Sequence, residues 1–216
     1  MTTLRPSLGL FLVLILPLCS QADIVEYSNG SISGSTNGWS ISAGTAVSNS
    51  FIISNTSTLS SASFGTWAQL GVTPDQIDWS IGTTAFGSEI SSGTSSATNT
   101  LISTHQAGNV FQSTMAISGS LTPGTYYFTL QNASSNSAGY PIYWDQNSGA
   151  STAYSKTGST TSSIGSESFT LYSASTAVPE PSTILMAGGL SLFASLAWMR
   201  NRQNRSSMLK NSAHVA

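Results

Sequence analysis

The chain has 216 residues, 39% of them hydrophobic, but only six Lys or Arg, eight Asp or Glu and one cysteine, for a formal net charge of −2. A chain this poor in bases has no positive stripe with which to neutralise phosphates, which argues against nucleic acid as a partner. One cysteine argues equally against a disulfide framework or a cysteine-ligated metal site.

The first 22 residues read as a signal peptide. Arg5 supplies the positive start, residues 8–18 are almost wholly apolar, and Ser20-Gln21-Ala22 places small residues where a signal peptidase reads. Cleavage is expected after Ala22, leaving a mature chain that starts at Asp23. Cys19 follows Leu18, where a lipobox carries Gly or Ala, so lipidation is not expected. The leader takes the only cysteine with it.

Residues 23–177 read as one ectodomain. Asp23, Glu26, Asp75, Asp78, Glu89, Asp145 and Glu167 face Lys156 alone, a net charge of −6, and 58 residues are Ser or Thr. Such a surface stays soluble through hydroxyl groups more than through charge. Serine-rich, charge-poor segments are often disordered, but here Trp39, Phe51, Phe64, Trp67, Trp79, Phe111, Phe128, Trp144 and Phe169 are spread throughout. They also fall on alternate positions: Phe51 and Ile53; Ile77, Trp79 and Ile81; Tyr126, Phe128 and Leu130; Phe169 and Leu171. That is the period of half-buried strands.

Turn signals separate these runs at Asn37-Gly38, Thr73-Pro74-Asp75, Thr122-Pro123-Gly124 and Asn147-Ser148-Gly149. The third is expected to be a type II turn with Gly124 at positive φ. Strands are predicted near 24–27, 38–42, 47–54, 58–68, 76–82, 98–104, 110–118, 125–132, 141–145 and 166–172, with long mobile loops at 88–98 and 148–166. With no crossover helices between strands, the prediction is an all-β antiparallel sandwich. Jelly-roll and immunoglobulin-like connections both fit, and a strand count nearer ten than seven favours the jelly-roll type.

Little in the ectodomain points to catalysis. His105 is its sole histidine and hence the sole candidate for a serine-hydrolase triad, and no Gly-x-Ser-x-Gly elbow is present. A glycosidase needs two carboxyls across a cleft, and the spacing of the acids singles out no pair. No catalytic residue is assigned and no cofactor is expected. Asp145-Gln-Asn147-Ser-Gly149 partly matches a calcium loop, so Asp145 and Asn147 are weak metal candidates. Glu167 would join them only if its strand pairs alongside. A turn rich in Asp, Asn and Gly is the simpler explanation, and no metal site is assigned. Aromatics concentrate between residues 126 and 154, making Tyr143, Trp144 and Tyr154 candidates for stacking on sugar rings. If Trp144 faces the core with Ile142, Tyr143 and Asp145 point outward.

The C-terminal segment, residues 178–205, is set apart by composition. Val178-Pro179-Glu180-Pro181 precedes an uncharged apolar stretch over residues 184–199, followed by Arg200, Arg202 and Arg205. Counted from Pro181, a helix of this length rises about 28 Å, close to the thickness of a hydrocarbon core. Trp198 and the arginines fit an interfacial anchor and the positive-inside rule. Residues 206–216 are expected to be a disordered tail.

The order Pro-Glu-Pro, apolar span and arginine cluster resembles the PEP-CTERM protein-sorting domain of Gram-negative bacteria that make exopolysaccharide. The resemblance implies sorting by an exosortase, an intramembrane cysteine protease, through Val178, Pro179, Glu180, Pro181, Arg200 and Arg202. The eleven residues after Arg205 exceed the short basic end typical of that family. The stretch 121–172 also looks like the last strands of many secreted proteins with this tail, which implies a shared architecture and no catalytic residues. The function expected is an exported cell-surface or matrix protein with a structural or adhesive role in envelope or biofilm. Its expected partners are an exosortase, the membrane through the C-terminal helix, and exopolysaccharide. A polysaccharide-binding module is the alternative, and a glycoside-active enzyme the third.

Overall fold

Alternation of large apolar and small polar residues builds thirteen strands among the described residues, which in the computed structural model are 23–174 together with Trp198 and Arg200. In chain order they are β1 (Ile24–Ser28), β2 (Gly38–Ser40), β3 (Thr45–Ile53), β4 (Ser57–Ala68), β5 (Gln76–Gly82), β6 (Ser91–Ser96) and β7 (Thr98–His105). They continue as β8 (Gly108–Leu121), β9 (Gly124–Gln131), β10 (Tyr143–Asp145), β11 (Ala153–Thr157), β12 (Thr160–Ile164) and β13 (Phe169–Ser173).

Every ladder between these strands is antiparallel, and the strands form two sheets. The first is organised on β4. Its whole length pairs with β8 on one edge, and its other edge is shared by β13, over Leu59–Phe64, and β10, over Thr66–Trp67. Outside these lie β7 on β8, β1 on β13 and β2 on β10. The second sheet runs β12-β11-β3-β9-β5-β6. At one side β6 leans on the free edge of β8, where Ser95 Oγ donates to Ala116 O at 2.6 Å.

Gly65 sits where β13 and β10 part company. Its N–H donates to Ser168 Oγ at 3.2 Å, and an added Cβ would lie 2.6 Å from both Asp145 Cβ and Ser168 Oγ. Gly65→Ala therefore forces the fork apart and should cost about 2 kcal/mol, read as a lowered urea midpoint with unchanged slope.

The inward faces of the two sheets meet in one core. Phe64, Trp144 and Phe169 from the first sheet pack on Phe51 and Phe128 from the second, with ring centroids 5.7 Å apart for Phe128–Trp144 and for Phe128–Phe169. Edge-on and tilted contacts of this kind add to the burial of the rings themselves.

Three expectations change. The stretches 88–98 and 148–166 are not simple loops, because β6, β11 and β12 lie within them. Hydroxyl pairing replaces apolar burial there: Thr94 Oγ1 donates to Asp78 Oδ1 at 2.5 Å and Trp79 Nε1 to Ser95 Oγ at 3.1 Å, while Gly93 leaves room opposite Trp79. Gly124 is not at positive φ but opens β9 opposite Ile53, beneath the Tyr126 ring. Asp145, expected on the surface, is buried, as described below.

The described residues 23–174 belong to one compact unit. The predicted signal peptide, the sorting segment with its transmembrane helix and the tail at 206–216 lie outside the described residues, apart from Trp198 and Arg200 in helical conformation. Among the described residues no helix is long and apolar enough to cross a membrane.

Candidate functional site

Strand alternation in the three-residue β10 sends Trp144 inward and Tyr143 outward. Trp144 is 0% exposed, and its Nε1 donates to Ser168 O at 2.8 Å. Tyr143 lies directly across from Trp67 on β4, and the two rings stack with centroids 4.0 Å apart and planes within 5°. On the other flank of β10, Gly38 allows β2 to close up, since a Cβ there would lie 2.1 Å from Trp144 O. Beside the stacked rings is an open recess of about 350 Å³, walled by Trp67, Gln69, Gln106, Ala107, Pro141 and Tyr143.

The three aromatic residues singled out in the sequence are therefore not brought together. Trp144 is corrected to a core residue, because an indole enclosed by Phe64, Phe128 and Phe169 presents no face to a sugar. Tyr154 is on β11 in the second sheet, tilted at 45° against Tyr127 with centroids 6.4 Å apart. Only Tyr143 borders the recess. Its companions Trp67, Gln69 and Gln106 escaped sequence analysis because their proximity depends on the pairing of β4 with β8 and β10.

The Asp145–Gly149 turn is tied into the fold by hydrogen bonds within the chain. A strap over residues 31–35 covers Asp145: Ser33 N and Ser33 Oγ donate to its two oxygens at 2.7 Å each, and Ser168 Oγ donates at 3.2 Å. The Asn147 carboxamide accepts from Gly149 N at 3.0 Å and Ser166 Oγ at 2.8 Å, and donates to Asn29 O at 2.7 Å. Both side chains already have hydrogen-bond donors aimed at their oxygens. Among the described residues no three His, Cys, Asp or Glu side chains gather as metal ligands.

Glu167 does come alongside, through an antiparallel bridge with Gln146. Its N–H donates to Asn49 Oδ1 at 3.0 Å, and its carbonyl accepts from Asn29 Nδ2 at 2.7 Å. Ser151 links those two asparagines, receiving from Asn29 Nδ2 at 2.9 Å and donating to Asn49 Oδ1 at 3.0 Å. The Glu167 carboxyl itself is 0% exposed, and neither oxygen has a hydrogen-bond partner. Burial first, and the nearby Asp145 charge second, push its pKa up to about 9, so it is neutral at pH 7. Burial also raises Asp145, against the opposing hydrogen bonds from Ser33 and Ser168.

No Asp or Glu lines the Trp67–Tyr143 recess, the recess under Ile102 or the one beside Tyr140. His105 is exposed on β7, its Nε2 2.6 Å from Gly34 O and 3.1 Å from Ser103 Oγ.

The arrangement defines a β-rich, two-sheet protein with an aromatic recess flanked by amides on its surface. Residues 177–202 match the family model of the PEP-CTERM protein-sorting motif, so the chain carries that motif immediately after the strand that closes the domain. The motif marks an exported protein addressed to an exosortase through a membrane-anchored sorting signal. No curated protein matches the chain.

Proposed function

We propose that this is an exported, non-enzymatic protein of a Gram-negative cell surface or extracellular matrix, with a structural or adhesive role in envelope or biofilm and exopolysaccharide as its surroundings. On this reading residues 1–22 direct export and are removed. The segment 178–205 then holds the chain in the membrane as a single helix until an exosortase processes it. The observation that carries the proposal is the PEP-CTERM motif at 177–202, which follows β13 with almost no linker. The charge-poor, hydroxyl-rich domain ahead of it suits a hydrated matrix.

The strand order supports a jelly-roll-type sandwich. Set aside β2, β7 and β10–β12, and the remaining eight strands lie as β1-β13-β4-β8 facing β3-β9-β5-β6, with successive strands crossing repeatedly between sheets. Lectin domains use this architecture, an analogy of fold alone.

Deleting residues 178–205 should divert the protein from the membrane fraction to the medium, as followed by immunoblotting of fractionated cells. Unchanged membrane retention of the truncated chain would overturn the sorting role.

A further inference from the structure

We propose that the recess beside the Tyr143–Trp67 stack binds a neutral polysaccharide chain. The inference rests on the matrix reading above and supplies it with a ligand class and a site.

Four observations lead to it. The stacked pair stands on the outward face of the first sheet, whereas the core is filled from the other face by Phe64 and Trp144. Core packing therefore does not explain the pair. Trp67 is held there although its Nε1 is buried without a hydrogen-bond partner among the described residues.

The walls suit a sugar. A pyranose ring is amphipathic, with C–H groups on its faces and hydroxyls around its rim. Tyr143, Trp67 and Pro141 offer carbon surface to the first. Gln69 and Gln106 offer the second a carboxamide each, able to donate and accept at once. Both glutamines are exposed, and neither side chain is engaged by a hydrogen bond within the described residues. At about 350 Å³ the recess falls within the size range of small-ligand sites, and its open form suits a chain passing across it.

Charge selects among glycans. The only cation between residues 23 and 177 is Lys156, which lies 5.7 Å from the Phe86 ring centroid and belongs to the second sheet. An acidic polysaccharide would meet a domain whose five acids besides Asp145 and Glu167, namely Asp23, Glu26, Asp75, Asp78 and Glu89, are not buried, and no cation at the recess. A neutral chain incurs no such repulsion.

The test is affinity electrophoresis of the full chain, solubilised in a detergent without a sugar headgroup, through gels containing dextran, hydroxyethylcellulose, galactomannan or alginate. Retardation by at least one neutral polymer and none by alginate is expected. Tyr143→Ala, and separately Gln69→Ala with Gln106→Ala, should each weaken the neutral interaction about tenfold. The glutamine pair is exposed and leaves the core intact, which keeps the test valid if Tyr143→Ala perturbs folding. Passage through all three neutral gels without retardation overturns the proposal, as does preference for alginate. Retardation that both variants retain overturns this site. The localisation result for residues 178–205 is independent, so either reading can fail without the other.

Discussion

Glu167→Gln should stabilise the folded domain by about 3 kcal/mol at pH 7 and remove most of its pH dependence between pH 5 and 9. The native carboxyl has its pKa raised from 4.5 to about 9 by burial and by the Asp145 charge. Below 4.5 the folded and unfolded states both carry the proton, and the burial costs nothing extra. Between 4.5 and 9 the unfolded chain ionises and the folded one does not, so stability falls by about 1.4 kcal/mol per pH unit. Above the folded value the curve flattens. Glutamine has nearly the same shape and nothing to titrate. Urea unfolding of the two proteins across this range should give curves that nearly coincide at pH 5 and diverge steadily towards pH 9. Parallel curves would show that the carboxyl is ionised and solvated in the folded state.

This cost persists beside a backbone that could hardly be better satisfied. The N–H and carbonyl of Glu167 are held by Asn49 and Asn29, which with Ser151 and Asn147 tie the end of β1 to β3 and to the chain beyond β10. Gly149 is part of the same lock, since a Cβ there would lie 2.2 Å from Asn29 O. The turn that resembles half a calcium loop thus uses its Asn and Gly to fasten the amino-terminal strand. Exchange of the neutral carboxyl for a carboxamide leaves that lock in place, which is why the expected change is a gain.

How far the sequence reveals this molecule depends on the range over which each feature is decided. The sorting segment is legible because its pattern is contiguous and needs no tertiary partner. Strands such as β5 are legible because Ile77, Trp79 and Ile81 repeat every second residue, and all three are at most 5% exposed. In β6 the same alternation exists, but between more and less exposed Ser, Thr and Gly residues, so a hydrophobic period cannot find it. Asp145 was expected to face water because it alternates with Trp144. It does point away from the core, and the Ser33 strap, supplied from over a hundred residues earlier, covers it together with Ser168 and Gly65. Tyr143 was legible as an outward aromatic. Its stacking on Trp67 was not, because cross-strand register is set by the whole length of β4 and not by either residue.

Trp144 separates the two roles that β10 combines. Trp144→Ala should lower stability by about 4 kcal/mol, since the indole is fully enclosed by Phe64, Phe128 and Phe169 and its Nε1 satisfies Ser168 O. Trp144→Phe, which keeps a ring but loses volume and the hydrogen bond, should cost about half as much. Neither effect should reach the sugar recess while the domain is folded, because residue 144 lies on the opposite face of the strand from Tyr143. Well below its melting temperature, Trp144→Phe should therefore migrate like the wild type in a neutral polysaccharide gel. Tyr143→Ala should show the converse, a melting temperature close to that of the wild type and a loss of retardation. If Trp144→Phe abolished retardation in a protein that still has the wild-type far-ultraviolet circular dichroism and melts cooperatively, the core assignment of Trp144 and the separation of faces in β10 would both be wrong.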